Sequence, residues 1–93
     1  RAEEIAWSGK HSHRRPDGSS CFTIFKDAGF EEGTAGENLG YVYDSPKKVC
    51  QAWKDSKTHY ENLMNPDFTE IGIGVAADPD ERGKLCWANH FLT

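Results

Sequence analysis

The segment Leu85-Cys86-Trp87-Ala88-Asn89-His90-Phe91-Leu92 places the tightest limit on the fold. Read as a strand, it puts Leu85, Trp87 and Phe91 on one face and Cys86, Ala88 and Leu92 on the other. A strand that is apolar on both faces needs a cover on both faces. The segment before it, Thr69 to Val75, alternates in another way. Thr69, Ile71, Ile73 and Val75 share one side, while Glu70, Gly72 and Gly74 share the other. This period of two predicts a strand, and its glycine face invites close approach by another element. The polar loop around Asp78-Pro79-Asp80 separates the two strands. A parallel crossover takes about a dozen residues or more, so a loop of this length joins an antiparallel pair. Helical patterns precede the pair. The expected fold is therefore α/β, a three-layer α-β-α sandwich with a small antiparallel sheet.

The clearest helical pattern begins at Ser45-Pro46, with Ser45 as cap and Pro46 at the first position. Val49, Ala52, Trp53, Tyr60, Leu63 and Met64 form its apolar stripe, and Ser56 lies on the same stripe. A break near Ser56 to Thr58 fits the pattern, and Asn65-Pro66 ends it. Cys21, Phe22, Ile24, Phe25 and Ala28 mark one face of a shorter helix. Asp17, Ser19 or Ser20 would cap its start, and Gly29 suits the position after its end. Glu37 to Tyr43 reads as a short strand. Arg1 to Trp7 reads as a helix that starts in mid-pattern without a capping residue. We therefore expect a piece of a longer chain, with the sheet face once covered by the missing helix left exposed.

At 93 residues the chain is expected to form a single domain with a thin core. Its formal net charge is −4, and no Lys/Arg cluster exceeds two residues, which argues against a nucleic-acid partner. No apolar run approaches the roughly 18 residues of a transmembrane helix. The three cysteines, Cys21, Cys50 and Cys86, all have apolar neighbours. They read as buried free thiols, or as one bridge with a thiol left over. The absence of a CxxC pair argues against a cysteine zinc site.

The polar candidates are His13, Glu37 and His59. Glu37 sits in Ala35-Gly36-Glu37-Asn38-Leu39-Gly40, at the mouth of an apolar segment. A carboxylate there must be paired or hydrogen-bonded, either to loop amides in a structural role or to groups of a site. His59 falls at the edge of the long helix's buried stripe. His90 shares a strand face with Cys86 and Ala88 and reads as buried and satisfied. Glu3-Glu4, Glu31-Glu32 and Asp78 to Glu81 read as solvated charges. There is no phosphate loop, HExxH helix or GxSxG elbow.

Several blocks together resemble the bacterial branch of the CAP superfamily, the relatives of cysteine-rich secretory proteins, antigen 5 and plant pathogenesis-related proteins. His11 to Phe22 resembles that family's SHxRPDGxSCF stretch, and Gly36-Glu37-Asn38-Leu39 its GEN[IL] signature. Val49 to Pro66 resembles VxxWxxSxxHxxNLxNP, Phe68 to Gly74 resembles FTxIGxG, and Trp87 to Phe91 resembles the closing WxQxF strand. The blocks span almost the whole chain, which would then be one CAP domain over residues 1–93 with its first helix largely missing. The resemblance implies an α-β-α sandwich carrying a cleft with two histidines and usually two acids. In some members the histidines bind a divalent metal such as zinc.

Carried over by motif, the histidines are His13 and His59, which would be the metal ligands, and the first acid is Glu37. The second acid's position holds Ser56, a departure common in the bacterial branch. Tyr60 follows His59 where arginine is more usual, and the disulfides of the animal members are absent. The implied ligand cleft is thus His13, Glu37, Ser56 and His59. The implied role is a secreted or surface-exposed domain that binds a divalent metal or a small-molecule, lipid or cell-wall ligand without turnover. One alternative is a metal-dependent hydrolase or peptidase with Glu37 as catalytic general base. Another is a non-catalytic interaction module of a larger surface protein.

Overall fold

Strand β3 (Leu85–Leu92) runs through the middle of a three-stranded antiparallel sheet of order β1-β3-β2, flanked by β1 (Ala35–Tyr41) and β2 (Glu70–Ala77). The computed structural model describes residues 1–30, 33–80 and 84–93. The helices are α1 (Ala2–Ser8), α2 (Thr23–Asp27), α3 (Pro46–Asp55) and α4 (Lys57–Met64).

The register assigns the faces. Glu37 lies opposite His90, Leu39 opposite Ala88 and Tyr41 opposite Cys86, so these six side chains share one face. Helix α1 covers it, packing Ile5 and Ala6 on Cys86 with Leu39, Tyr41 and Ala76 around them. The glycine side of β2 lies on this face. A Cβ at Gly74 would stand 3.7 Å from that of Ala2, so the small residues let helix and strand approach. On the other face Val49 and Trp53 of α3 pack on Trp87, with Tyr43, Leu63 and Leu85 around them. Each buried indole N–H finds a carbonyl. Trp53 Nε1 donates to Leu39 O at 2.9 Å and Trp87 Nε1 to Tyr43 O at 2.7 Å. The three expected layers are present, with β3 covered on both faces.

Local chemistry accounts for the helix ends. Ser45 Oγ accepts from Lys48 N at 3.2 Å and Pro46 opens α3. At Ser56 the backbone turns extended (φ −103°, ψ 123°), which ends α3 and starts α4 at the anticipated break. Gly29 takes φ +87° just past α2.

Other expectations need correction. Helix α2 starts at Thr23 after Phe22, and none of Asp17, Ser19 or Ser20 caps it. Asp17 Oδ1 instead accepts from the backbone and hydroxyl of Ser19, and Ser20 Oγ accepts from Phe22 N. All five residues of α2 are at least partly exposed, and of its predicted stripe only Cys21, just ahead of the helix, is buried. Strand β1 begins and ends two residues earlier than the pattern suggested, and Val42, at φ +71°, marks its end. Cys50 is exposed on the outer side of α3, while Cys21 and Cys86 are buried, and all three are free thiols. Ile71, Ile73 and Val75 are exposed, since α3 and α4 pack against β1 and leave that side of β2 uncovered. Asp78 is more than a solvated charge, because Tyr41 Oη donates to its Oδ2 at 2.9 Å. Glu31, Glu32 and Glu81 lie outside the described residues.

Gly40 gives the first testable consequence of this packing. A Cβ built there would meet Val49 Cγ2 at 2.6 Å, too close for a real contact. Gly40→Ala is expected to lower stability by about 1–3 kcal/mol through overpacking between β1 and α3. Urea denaturation should show a lower midpoint at an unchanged slope.

Candidate functional site

Glu37 is the centre of the site. Strand β1 directs it to the α1 face, directly across from His90 on β3. Four donors converge on its two oxygens. Oε1 accepts from His13 Nδ1 at 2.8 Å and from an Arg1 terminal nitrogen at 3.3 Å. Oε2 accepts from His90 Nε2 at 2.7 Å and from Arg1 Nε at 2.9 Å. The Glu37 and Arg1 side chains are 1% and 0% exposed, so this is a buried ion pair. The sequence allowed loop amides as the partners of Glu37; the structure supplies side chains from α1's leading residue, a loop and β3.

Burial by itself pushes the Glu37 carboxyl up. Hydrogen bonds from His90, Arg1 and His13, together with the Arg1 charge, outweigh it and hold the group at about 2. A carboxylate can only accept, so His13 is protonated on Nδ1 and His90 on Nε2. Arg1 also donates to Glu4 at 2.6 Å and to the Ser12 carbonyl at 2.7 Å. Glu4 in turn accepts from Arg15, which bonds Asp27. Glu4, expected to be a solvated charge, is thus a link in an ion chain from the site to α2.

His13 is carried by a tight turn. Gly18 takes φ +88°, Gly18 N donates to Arg15 O, and Arg15 N donates to Ser19 O. Cys21 N closes the turn on His13 O at 3.0 Å. The Pro16-Asp17-Gly18 sequence therefore sets His13 beside Cys21. The His13 side chain is 62% exposed, so the face away from Glu37 is open to solvent.

His59 comes from the first turn of α4, three residues after Ser56. Ser56 occupies the N-cap but makes no side-chain cap bond to the helix backbone. Its hydroxyl meets His59 Nδ1 at 2.8 Å instead. Burial first, and then the nearby His13, lower the pKa of His59, which favours the neutral ring. The helix is tied to β1 beneath it. Asn38 Nδ2 donates to His59 O at 3.1 Å, and Asn62 Nδ2 donates to Asn38 Oδ1 at 3.0 Å.

The structure pairs His13 with Glu37 on the α1 face of the sheet, and His59 with Ser56 at the start of α4. Among the described residues no direct hydrogen bond joins the pairs; Asn38 and Asn62 connect them. A cleft of about 470 Å³ is lined by His13, Cys21, Phe22, Glu37 and Asn62, and Ser56 and His59 are not among its lining residues. Three participants escaped the sequence analysis. Arg1 looked like a helix remnant, Cys21 like ordinary core, and His90 like a satisfied interior residue. The β1–β3 register would have revealed His90 opposite Glu37, but it is not encoded locally.

His13, Cys21 and Glu37 also place potential metal-ligand atoms within 4.8 Å of one another. Their chemistry is poorly suited to a cation at that point. The Glu37 oxygens already accept four bonds, and Arg1 supplies the countercharge. Burial, then the charge and hydrogen bond of Glu37, push the Cys21 thiol up to about 11, so it is protonated at neutral pH. Nε2 of His13 and Nε2 of His59, which have no hydrogen-bond partner among the described residues, are the better donors.

Comparison with known proteins identifies the family. The family model for the cysteine-rich secretory protein (CAP) family matches residues 1–92. The uncharacterized protein YkwD of Bacillus subtilis (strain 168) is 36% identical over 80 residues, 86% of this chain and 29% of that protein. The uncharacterized membrane protein YlbC of the same organism is 39% identical over 41 residues, 44% of this chain and 12% of that protein. The chain therefore spans less than a third of the curated relatives it matches. An extracellular protein containing an SCP domain from Bacillus anthracis superposes with a TM-score of 0.84 at 22% identity, covering 98% of this chain and 28% of that one. An outer surface protein from Borrelia burgdorferi also gives a TM-score of 0.84, at 20% identity over 99% of this chain and 66% of that one. At such identities the two structures speak for the fold. The match over residues 1–92, on an α-β-α frame carrying these motifs, places this chain in the CAP (cysteine-rich secretory protein) family.

Proposed function

We propose that this domain is a secreted or surface-exposed bacterial module whose cleft holds a divalent metal, or a small polar ligand in its place, through His13 and His59 without turning it over. The observation that carries this reading is the use of the two Nδ1 atoms. Glu37 binds one and Ser56 the other, which leaves Nε2 of each ring as a potential donor. A carboxylate behind a ligating histidine fixes its ring and tautomer, and a hydroxyl steadies the ring when it accepts from Nδ1–H, so the residues fit a zinc-type ion. When bound, such an ion would offer a Lewis-acidic centre to a carbonyl or anionic group. His13 and His59 would hold it, and Glu37 and Ser56 would orient them.

The same geometry argues against the hydrolase alternative. A general base works best with a pKa near the working pH and a free lone pair facing the proton it takes. Glu37 sits at about 2 and has four donors on its oxygens. The second acid of the family's tetrad is Ser56 here. Localisation follows by analogy from the extracellular and outer-surface descriptions of the two structural neighbours. Among the described residues no helix is long and apolar enough to cross a membrane.

Competition titration with zinc tests the proposal. The His13→Ala/His59→Ala double variant is expected to bind zinc at least about tenfold more weakly than wild type, in line with loss of ligands and their support. Equal affinity would remove the metal reading. A peptide and cell-wall substrate screen completes the test: turnover by wild type that Glu37→Gln abolishes, under conditions where the variant is still folded by circular dichroism, would establish the hydrolase instead.

A further inference from the structure

We infer that His90 is a positioning residue for His13, acting through Glu37: it clamps Glu37 Oε2 so that Oε1 holds His13 in the Nδ1–H form with Nε2 turned to the cleft. The inference rests on the reading of His13 as a donor and deepens it. It does not come from the family motifs, because the WxQxF stretch leaves position 90 open.

Neutral imidazole in water prefers the proton on Nε2, so the opposite tautomer has to be held in place. An acceptor fixed at Nδ1 does this. Glu37 is such an acceptor only if its carboxylate cannot swing. Arg1 Nε and His90 Nε2 both bind Oε2, at 2.9 and 2.7 Å. Arg1 also reaches across to Oε1, the oxygen His13 uses, whereas His90 binds Oε2 alone. His90 belongs to the central strand, the element paired on both edges, and its side chain is 11% exposed. Phe25 packs edge-on against its ring at 5.9 Å and 87°, fixing the plane. The groups facing this cluster are Arg1, just ahead of α1, Glu4 from α1, His13 and Cys21 from the turn, His90 from β3 and His59 from α4. Of these, His90 is the donor anchored in the sheet.

Long-range ¹H–¹⁵N correlation spectra of the metal-free 93-residue chain test this directly, at a pH where the rings are neutral. Wild type is expected to show His90 protonated on Nε2 and His13 protonated on Nδ1. In His90→Leu the His13 pattern is expected to move toward the Nε2–H form, and zinc affinity to fall by roughly threefold to tenfold, below the usual effect of a direct outer-shell partner. His90→Gln keeps an N–H donor and is expected to restore both. A wild-type His90 with a bare Nε2, or a His13 pattern unmoved in His90→Leu, would overturn the inference. Where the leucine variant fails to fold, His90→Asn replaces it in the same comparison, and a bare Nε2 on His90 in wild type overturns the inference by itself. If wild type bound no zinc, the metal reading would fall, yet the nitrogen pattern would still decide the role of His90.

Discussion

Glu37→Gln is expected to lower the stability of this domain by about 3–5 kcal/mol at neutral pH, because it leaves the Arg1 guanidinium buried without its countercharge. The Arg1 side chain has no exposed surface through which water could substitute for the lost carboxylate. The amide keeps one accepting oxygen for four donors, and its own N–H₂ would face His13 or His90 N–H. The pH dependence distinguishes this from a packing defect. Glu37 has its folded pKa lowered from 4.5 to about 2, so the unfolded chain binds the proton more readily. Its contribution is fully present above about pH 5 and is lost as pH falls through about 2. The wild-type advantage over Glu37→Gln should therefore shrink on acidification across that window. Urea denaturation of both proteins at several pH values reads this out. Equal stability at pH 7, or a gap that widens in acid, would mean that the cluster does not hold Glu37 as an ion.

That expectation also bears on what Glu37 can do in the site. A carboxylate held so far below the working pH is a permanent acceptor. It can orient imidazoles, and it is badly placed to shuttle protons. The same four bonds that make it costly to remove make it useful for fixing His13. Stability and site geometry here are two consequences of one buried charge cluster.

How much of this was legible beforehand depends on the range of the interaction. The layers followed from β3, whose apolar residues on both faces demand two covers, and from the glycines that admit α1. The Ser45-Pro46 start and the break at Ser56 were local, set by a cap and a change of backbone within a few residues. The β1 boundary was misjudged because Val42 takes a left-handed conformation that a β-branched residue does not advertise. The apolar side chains of β2 share one side as the alternation predicts, and that side is exposed. Strand alternation says which residues share a face but not whether a helix lies over it. Motif resemblance pointed to His13, Glu37, Ser56 and His59. It did not point to Arg1 or His90, which reach Glu37 across sequence separations of 36 and 53 residues. Contacts of that length depend on register and helix placement, which no window of the chain contains.

Trp53→Ala is expected to be as damaging as the loss of Glu37, for a different reason. Trp53 is nearly fully buried between α3 and the sheet, against Val49 and Trp87, and its indole N–H is bonded to Leu39 O. Truncating it removes a large apolar area and leaves a cavity, which costs about 3–5 kcal/mol. A domain of this size has about 5–15 kcal/mol in all, so much of the variant should be unfolded under mild denaturant. Trp53→Phe separates the two contributions. It keeps most of the ring and loses the hydrogen bond, which should cost about 1–3 kcal/mol. The site should feel the alanine variant unequally. Helix α4 packs on α3 and carries Ser56's partner His59, whereas His13, Glu37 and His90 are held from the opposite face by α1, the turn and β3. In any folded fraction of Trp53→Ala, histidine NMR should therefore show the His59 signals shifted or broadened while those of His13 and His90 stay close to wild type. Equal disturbance of all three rings would mean that the two faces of the sheet do not support the two halves of the site separately.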